Sequence, residues 1–485
     1  MKVKKILITG NFNIIHPGHL RLYKFAKSLG GILVVGVNSD KIAKNDIFIN
    51  EKLRLESVAA CSLIDEVFLI KKNISHYIKK IKPDFIVKGK EHENEVNPEK
   101  KYLDRYGGKL VFSSGDIVFS SKNLLINEKN YFEKKKNINL NFMKRHKINK
   151  NKIFSVINNF KKIKSLVIGD VIIDEYIFCE SLGLSQEDNS IIYKIDRNEK
   201  FLGGAGIVAA HLASLGSDVE FITVVGNDPI KKFFSEKLKD YKVKNSSISD
   251  SSRFTNLKVR YKLKNNTVFR LSNLSNFEID QKIQDKIFSK VKKIISEKKI
   301  NLIVFSDFNY GVMTLDLIKK ISNYAKKRKI CITADSQISS QIGDVSKYKN
   351  IDLLSATEFE VRTSLKNSND GLVVLSEKLR KITNNLNLIM KLQEDGIFIH
   401  SYCKNKFINS QYKNDEIFAI NKNPIDAAGA GDSMLAAASL SLALGNDIWV
   451  SSLLGSFASA IQISRIGNMP IKSSELKNLI KLALE

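Results

Sequence analysis

Two short stretches of this sequence combine residue types that could move phosphate. The first is Thr9-Gly-Asn-Phe-Asn-Ile-Ile-His-Pro-Gly-His19. His16 and His19 stand three residues apart, so they can share one face of an incipient helical turn. Two imidazoles placed there can donate hydrogen bonds to phosphate oxygens as charge builds during an in-line displacement. Gly10 permits a tight turn, and Gly18 lets a phosphate approach the backbone. The second stretch is Asp426-Ala-Ala-Gly-Ala-Gly-Asp432. Gly429, Ala430 and Gly431 leave successive backbone N–H groups open at a helix start, which makes a nest for an anion. Asp432 falls in the first turn of that helix, where a carboxylate can take a proton from a hydroxyl. The plain alternatives are a surface loop that happens to hold two histidines and an Asp that caps an Ala-rich core helix. The order strand, glycine, H-x-G-H, helix argues against the first. The second is weakened by a glycine-rich segment, Leu202 to Gly216, and by an acidic strand end, Val167-Ile-Gly-Asp170-Val-Ile-Ile-Asp174, in the same half of the chain.

The elements that must position these residues follow an α/β pattern. Apolar strands are expected at 3–9, Ile32–Val37, Glu66–Ile70, Phe85–Lys88 and Lys109–Phe112, with helices between them. Such alternation predicts a parallel sheet with helices on both faces. This unit closes near residue 130. Residues 131–152 are rich in Lys and Asn, lack Gly and Pro, and read as a basic linker. A second α/β pattern fills 153–485, with strands at 165–170, Glu220–Val225, Leu302–Ser306, Ile330–Asp335 and Asn387–Met390 and a helical region from Gly431 onward.

Composition bounds the remaining choices. A chain of 485 residues suits two or three domains. Hydrophobic residues make up 43%, as in ordinary globular proteins. No apolar run approaches the roughly 18 residues of a membrane span, and the apolar segment Ile6–Ile8 is too short for a signal peptide; a cytoplasmic protein is expected. Cys61, Cys179, Cys331 and Cys403 form no C-x-x-C pair and read as core residues. The formal net charge of +27 comes from lysines spread along the whole chain. It suits anionic, phosphorylated substrates better than a nucleic-acid partner.

The His16–His19 segment resembles the cytidylyltransferase-like nucleotidyltransferases, with their signature T/N-G-x-F-D-x-x-H-x-G-H, and the likeness runs over residues 1–130. That resemblance implies a Rossmann-like domain joining a nucleoside triphosphate to a phosphorylated alcohol with release of pyrophosphate. It implies catalytic roles for His16 and His19 and nucleotide or phosphate contacts at Thr9, Gly10, Phe12, Gly18, Lys41, Lys44, Arg54, Gly89, Ser120 and Ser121. Asn13 stands where the family has Asp.

Residues 163–485 resemble the ribokinase-like (PfkB) carbohydrate kinases on the Asp170–Asp174 strand end, the Gly203-Gly204 loop and the Gly429–Asp432 loop. The resemblance implies that Asp432 is the base and that Gly429, Ala430 and Gly431 face the transferred phosphoryl group. It implies sugar contacts at Asp170, Asp174, Gly203 and Gly204. Glu360, in Thr357-Glu-Phe-Glu360, falls where the family has N-x-x-E near magnesium. Thr357 and Ile207 replace family asparagines. Lys391 to Gly396 is a loose version of the nucleotide loop.

A chain carrying both halves resembles the bifunctional ADP-heptose synthases, with the domain order reversed. The resemblance implies phosphorylation of a heptose phosphate at the anomeric position and activation of heptose 1-phosphate to a nucleotide sugar. It implies ATP, or CTP for the transferase, with Mg²⁺, and sugar phosphates as partners. A homodimer is the expected assembly, with no nucleic acid and no membrane. Two other readings stay open. The kinase half could have a regulatory or binding role, given Ile207 and Thr357. The H-x-G-H motif also occurs in class I aminoacyl-tRNA synthetases, although no K-M-S-K-S-like loop is visible.

Overall fold

The computed structural model describes residues 3–43, 49–89, 92–93, 96–113, 140–188, 190–263, 266–337, 343–402, 412–421 and 423–484. The chain divides into two compact units, Met1–Asn137 with Asn367–Leu375, and Ile138–Lys366 with Ser376–Glu485.

The first unit is built on a five-stranded sheet in the order Glu66–Ile70, Ile32–Asn38, Lys5–Gly10, Phe85–Lys88, Lys109–Phe112. Every pairing in it is parallel. Strands buried on both faces read as continuous apolar runs, and Ile6, Leu7 and Ile8 are almost fully buried. The winding reverses beside Lys5–Gly10, so the loop after that strand opens into the crevice where α/β sheets bind ligands. The helix Pro17–Ser28 follows this loop. Proline fills its first turn, where a missing N–H costs nothing. Its inner face buries Tyr23 and Ala26 against Ile6, Ile8 and Val35.

The second unit has a nine-stranded sheet. Its strands are parallel from Asp218–Ile222 through Lys164–Gly169, Leu302–Asp307, Cys331–Ser336 and Leu353–Thr357 to Asn387–Lys391, and then antiparallel to Ile397–Tyr402 and Tyr412–Ile417. The long apolar helices Ala430–Ala443 and Ile448–Gln462 are mostly buried in its core. Thr333 on the sheet and Ser439 on the first of these helices share a 2.7 Å hydrogen bond.

A separate four-stranded sheet departs from the sequence reading. Its order is Asn266–Asn273, Asn256–Leu263, Val171–Leu184, Ile191–Gly204. The fourteen-residue strand Ile191–Gly204 is largely exposed and dense in charge, so no apolar alternation marks it. Gly203 and Gly204, expected in a loop, end this strand, and Gly204 caps the helix Ala205–Ser214 with φ +57°. The basic stretch expected as a linker also carries structure in its described part. Residues 140–145 are helical, and Phe142, Met143 and Ile148 are buried in the core of the second unit.

Candidate active sites

In the first unit the loop after Lys5–Gly10 folds back on the sheet. Phe12 adopts φ +50° and is buried, its ring 5.0 Å from that of His19. The imidazoles of His16 and His19 stack with centroids 3.8 Å apart. Burial, with His16 beside it, holds the His19 imidazolium down to a pKa of about 3. Near neutral pH His19 is therefore a neutral ring, and its Nδ1 meets no hydrogen-bond partner among the described residues. His16 occupies the N-cap position of the helix, yet its side chain makes no capping bond, and no acidic residue lies in the first turn. The positive end of the helix thus stays open to an anion.

Thr9 and Gly10 lie at the sheet end of this loop and Gly18 at the helix start, while Gly89 follows the strand Phe85–Lys88. Lys41 is exposed on the short helix Asp40–Ala43. Lys44, Ser120 and Ser121 lie outside the described residues. Arg54 differs from the expectation of a phosphate contact. Its side chain is fully buried and braces the protein: it donates to Ile49 O at 2.8 Å, Asn11 O at 2.5 Å and Asp40 Oδ1 at 2.6 Å. Arg54 fixes the path of the His loop through Asn11. Asn38 adds a 2.8 Å bond to Asn11 Oδ1 from the neighbouring strand end.

In the second unit the candidate site lies at the carboxyl ends of the sheet. Gly429 takes φ +75° and starts the helix Ala430–Ala443, with no side-chain cap. Ala430 and Gly431 follow in its first turn. Asp432 is buried, and its Oδ1 has no hydrogen-bond partner among the described residues. Burial pushes its carboxyl up to a pKa of about 7; Asp335 adds to this, and Lys391 opposes it.

Asp174 reaches toward the same region from the four-stranded sheet. It accepts from Arg260 Nη1 at 2.5 Å and from Asn468 Nδ2 at 3.0 Å. A Cβ on Gly203 would collide with Asp174 Oδ2, so glycine there makes room for the carboxylate. Asn468 Oδ1 points at Gly429, where a Cβ would collide with it. Asn468 therefore links the Asp174 carboxylate to the anion loop.

Asp170, a sugar contact by resemblance, serves here as a brace. It is fully buried and accepts from Phe308 N at 2.9 Å, Tyr310 N at 3.2 Å and Val312 N at 3.1 Å. It shapes the 307–312 turn from beneath. Burial, with Asp307 nearby, raises its pKa to about 6. Glu360, placed near magnesium by resemblance, also has a local role. Thr357 and Glu360 form a capping box, with Thr357 N donating to Glu360 Oε2 at 2.6 Å and Glu360 N to Thr357 Oγ1 at 3.2 Å. No group of three His, Cys, Asp or Glu able to hold a metal occurs among the described residues. Ile207, which stands where the family has a sugar-binding asparagine, is fully buried.

Sequence reasoning placed Lys391 at the start of the loose nucleotide loop without giving it a role of its own, and missed Arg260 and Asn468. Lys391 ends a strand whose apolar run is plain, and a lysine closing such a run at a sheet's ligand edge was the available signal. Arg260 and Asn468 carry no local motif.

Comparison with known proteins agrees with this architecture. The model of the pfkB family carbohydrate kinases matches residues 162–474, and the cytidylyltransferase-like model matches residues 7–157. The bifunctional protein HldE of Campylobacter jejuni is 30% identical over 328 residues, 67% of this chain and 66% of the relative. HldE of Campylobacter concisus is 30% identical over 66% of this chain and 65% of its own length. The alignments thus fall just short of two thirds of these relatives. Phosphofructokinase-2 from Escherichia coli superposes with TM-score 0.53 at 14% identity, covering 67% of this chain and 99% of its own. Arabidopsis thaliana ribokinase gives 0.51 at 17%, covering 66% and 99%. At these identities the likeness is one of fold.

Proposed function

Since the chain belongs to the pfkB family of carbohydrate kinases, we propose that it is a bifunctional enzyme whose second unit phosphorylates a heptose phosphate at its anomeric hydroxyl and whose first unit activates heptose 1-phosphate to a nucleotide sugar of the ADP-heptose type. The observation that carries the kinase half is the buried, unpartnered Asp432 Oδ1 beside an uncapped glycine-rich helix start. The substrate hydroxyl gives its proton to this oxygen while its own oxygen bonds to the γ-phosphorus of ATP. The bond from that phosphorus to the bridging oxygen breaks, and ADP leaves. The amides of the Gly429–Gly431 segment face the charge that develops. Asp174, set by Arg260 and Asn468, holds the sugar.

In the first unit an ionised phosphate oxygen of the sugar 1-phosphate attacks the α-phosphorus of ATP, or of CTP, and pyrophosphate leaves. A phosphate nucleophile needs no base, so histidine donors and a helix N-terminus suffice. Mg²⁺ carried by the nucleotide's phosphates would supply neutralising charge at both sites. The test is incubation with ATP and heptose 7-phosphate while ADP is followed. If no sugar or sugar phosphate in a panel yields ADP, the kinase reading is wrong.

A cytoplasmic location goes with these soluble substrates; no helix among the described residues is long and apolar enough to cross a membrane. A homodimer is favoured by apolar side chains left exposed on the four-stranded sheet, Leu182, Leu184, Ile195, Phe269 and Leu271 among them. A second reading rests on buried Ile207: a kinase-like unit with altered sugar specificity or a regulatory role. Assays of each nucleotide with and without sugar separate the two readings.

The pKa of Asp432 sets an expected pH dependence. Its raised value means that the carboxyl is protonated, and cannot act as base, below about pH 7. Kinase turnover should fall about tenfold per unit below that point. A pH–rate profile of ADP formation from pH 5.5 to 8.5 checks this; a rate flat down to pH 5.5 contradicts it. Gly203→Ala should push the Asp174 carboxylate out of place. Losing hydrogen bonds to a charged group costs about 1.5–3 kcal/mol, so the sugar KM should rise about 10- to 100-fold at saturating ATP. Initial-rate kinetics measure it, and a KM within twofold of wild type would count against the role of Asp174.

A further inference from the structure

Lys391 ends the strand Asn387–Lys391, the last of the parallel run. Its Nζ donates to Asp335 Oδ2 at 2.5 Å and lies 3.1 Å from where a Cβ on Gly431 would stand. An ammonium group therefore abuts the anion loop at Gly431, where an added Cβ would crowd it. Two buried carboxylate oxygens nearby, Asp335 Oδ1 and Asp432 Oδ1, have no partner among the described residues. Glu360, closing its capping box, adds a third negative charge toward Lys391. Burial disfavours the lysine charge, but Asp335 and Glu360 together hold its pKa above the ordinary value. The buried carboxylates around it give one reason to keep a charge here, since an unpaired buried charge is costly. A positive charge against a phosphate nest has a chemical use.

We propose that Lys391 is a catalytic residue of the kinase site, its ammonium binding the γ-phosphoryl group of ATP and stabilising it during transfer. This rests on the kinase reading above and adds a residue to that site. Lys391 leaves Asp335 as the nucleotide enters and contacts oxygens of the γ-phosphate. The bond between γ-phosphorus and the bridging oxygen breaks, the bond to the sugar oxygen forms, and the sugar proton passes to Asp432. Lys391 keeps its own proton throughout and acts as a fixed charge beside the Gly429–Gly431 amides.

The test uses the full chain and two readouts. Calorimetry compares ADP with an ATP analogue carrying a methylene between the β- and γ-phosphorus, both with Mg²⁺. Wild type should bind the analogue about tenfold more tightly than ADP, and Lys391→Met should abolish the difference. In sugar-dependent ADP formation, Lys391→Met should lower kcat about 10²- to 10³-fold with the sugar KM within threefold, and Lys391→Arg should recover part of the rate. Fluorescence of the single tryptophan, Trp449, which packs in the core of this unit, reports folding. Should Lys391→Met not fold, Lys391→Gln, whose amide can still donate to Asp335, must lose the discrimination instead. A folded neutral variant that keeps both the discrimination and kcat within threefold of wild type overturns the proposal. If wild type phosphorylates no sugar, the kinase reading fails on its own, and the comparison of analogue with ADP still decides the place of Lys391.

Discussion

Asp432→Asn is expected to lower sugar-dependent ADP formation by about 10³-fold, within the 10²- to 10⁴-fold range of general-base catalysis, while pyrophosphate release by the first unit stays at the wild-type rate. The side chain is nearly isosteric, so the Gly429–Gly431 loop and the helix behind it should remain in place. The loss falls on proton transfer: an amide cannot accept the proton of the sugar hydroxyl. Affinities for ATP and sugar should change little. Asp432 is buried beside Asp335, so a neutral amide relieves repulsion, and the variant should be at least as stable as wild type. Parallel assays of ADP and pyrophosphate, with a thermal melt, check all three statements. A variant that keeps a tenth of its kinase rate would remove Asp432 from the mechanism.

His16→Ala and His19→Ala are expected to do the reverse, lowering pyrophosphate release by about 10²- to 10³-fold each with kinase turnover unchanged. His19 is held neutral by burial and by His16, and its one N–H is bonded to the Ile14 backbone, so it acts on phosphate as a donor, not as a cation, by turning that N–H to the ligand. His19→Asn, which keeps an N–H donor, should therefore lose much less than His19→Ala. The stacked rings at 3.8 Å also imply coupling: each alanine variant frees its neighbour to move, and the double variant should cost less than the sum of the singles. Assays of nucleotide sugar and pyrophosphate from sugar 1-phosphate and ATP settle this. Equal rates for His19→Ala and His19→Asn would show that donation is not the role of His19.

Much of the fold was legible because its strands are buried on both faces. Runs such as Ile6–Ile8 and Leu33–Val37 leave little choice of element. The four-stranded sheet was not, since Ile191–Gly204 presents charge to water and owes its pairing to Val171–Leu184. Residues that act within one turn, His16 with His19 and Gly429 with Asp432, showed themselves by spacing. Those brought together across the sheet did not. Lys391 meets Asp335 from 56 positions away, and Asn468 meets Asp174 from 294. Three side chains that the resemblance places at ligands also brace the protein. Asp170 anchors three amides, Arg54 fills its hydrogen bonds within the protein, and Glu360 closes a capping box that Thr357-x-x-Glu360 spells out in sequence.

One chain carrying two separate phosphate chemistries is most directly tested by mass spectrometry of products from the wild-type protein. With ATP and heptose 7-phosphate, a bisphosphate and ADP should appear together. With ATP or CTP and heptose 1-phosphate, a nucleotide sugar and pyrophosphate should appear. Absence of both product pairs across a panel of sugar phosphates, from protein whose tryptophan fluorescence shows it folded, would contradict the account.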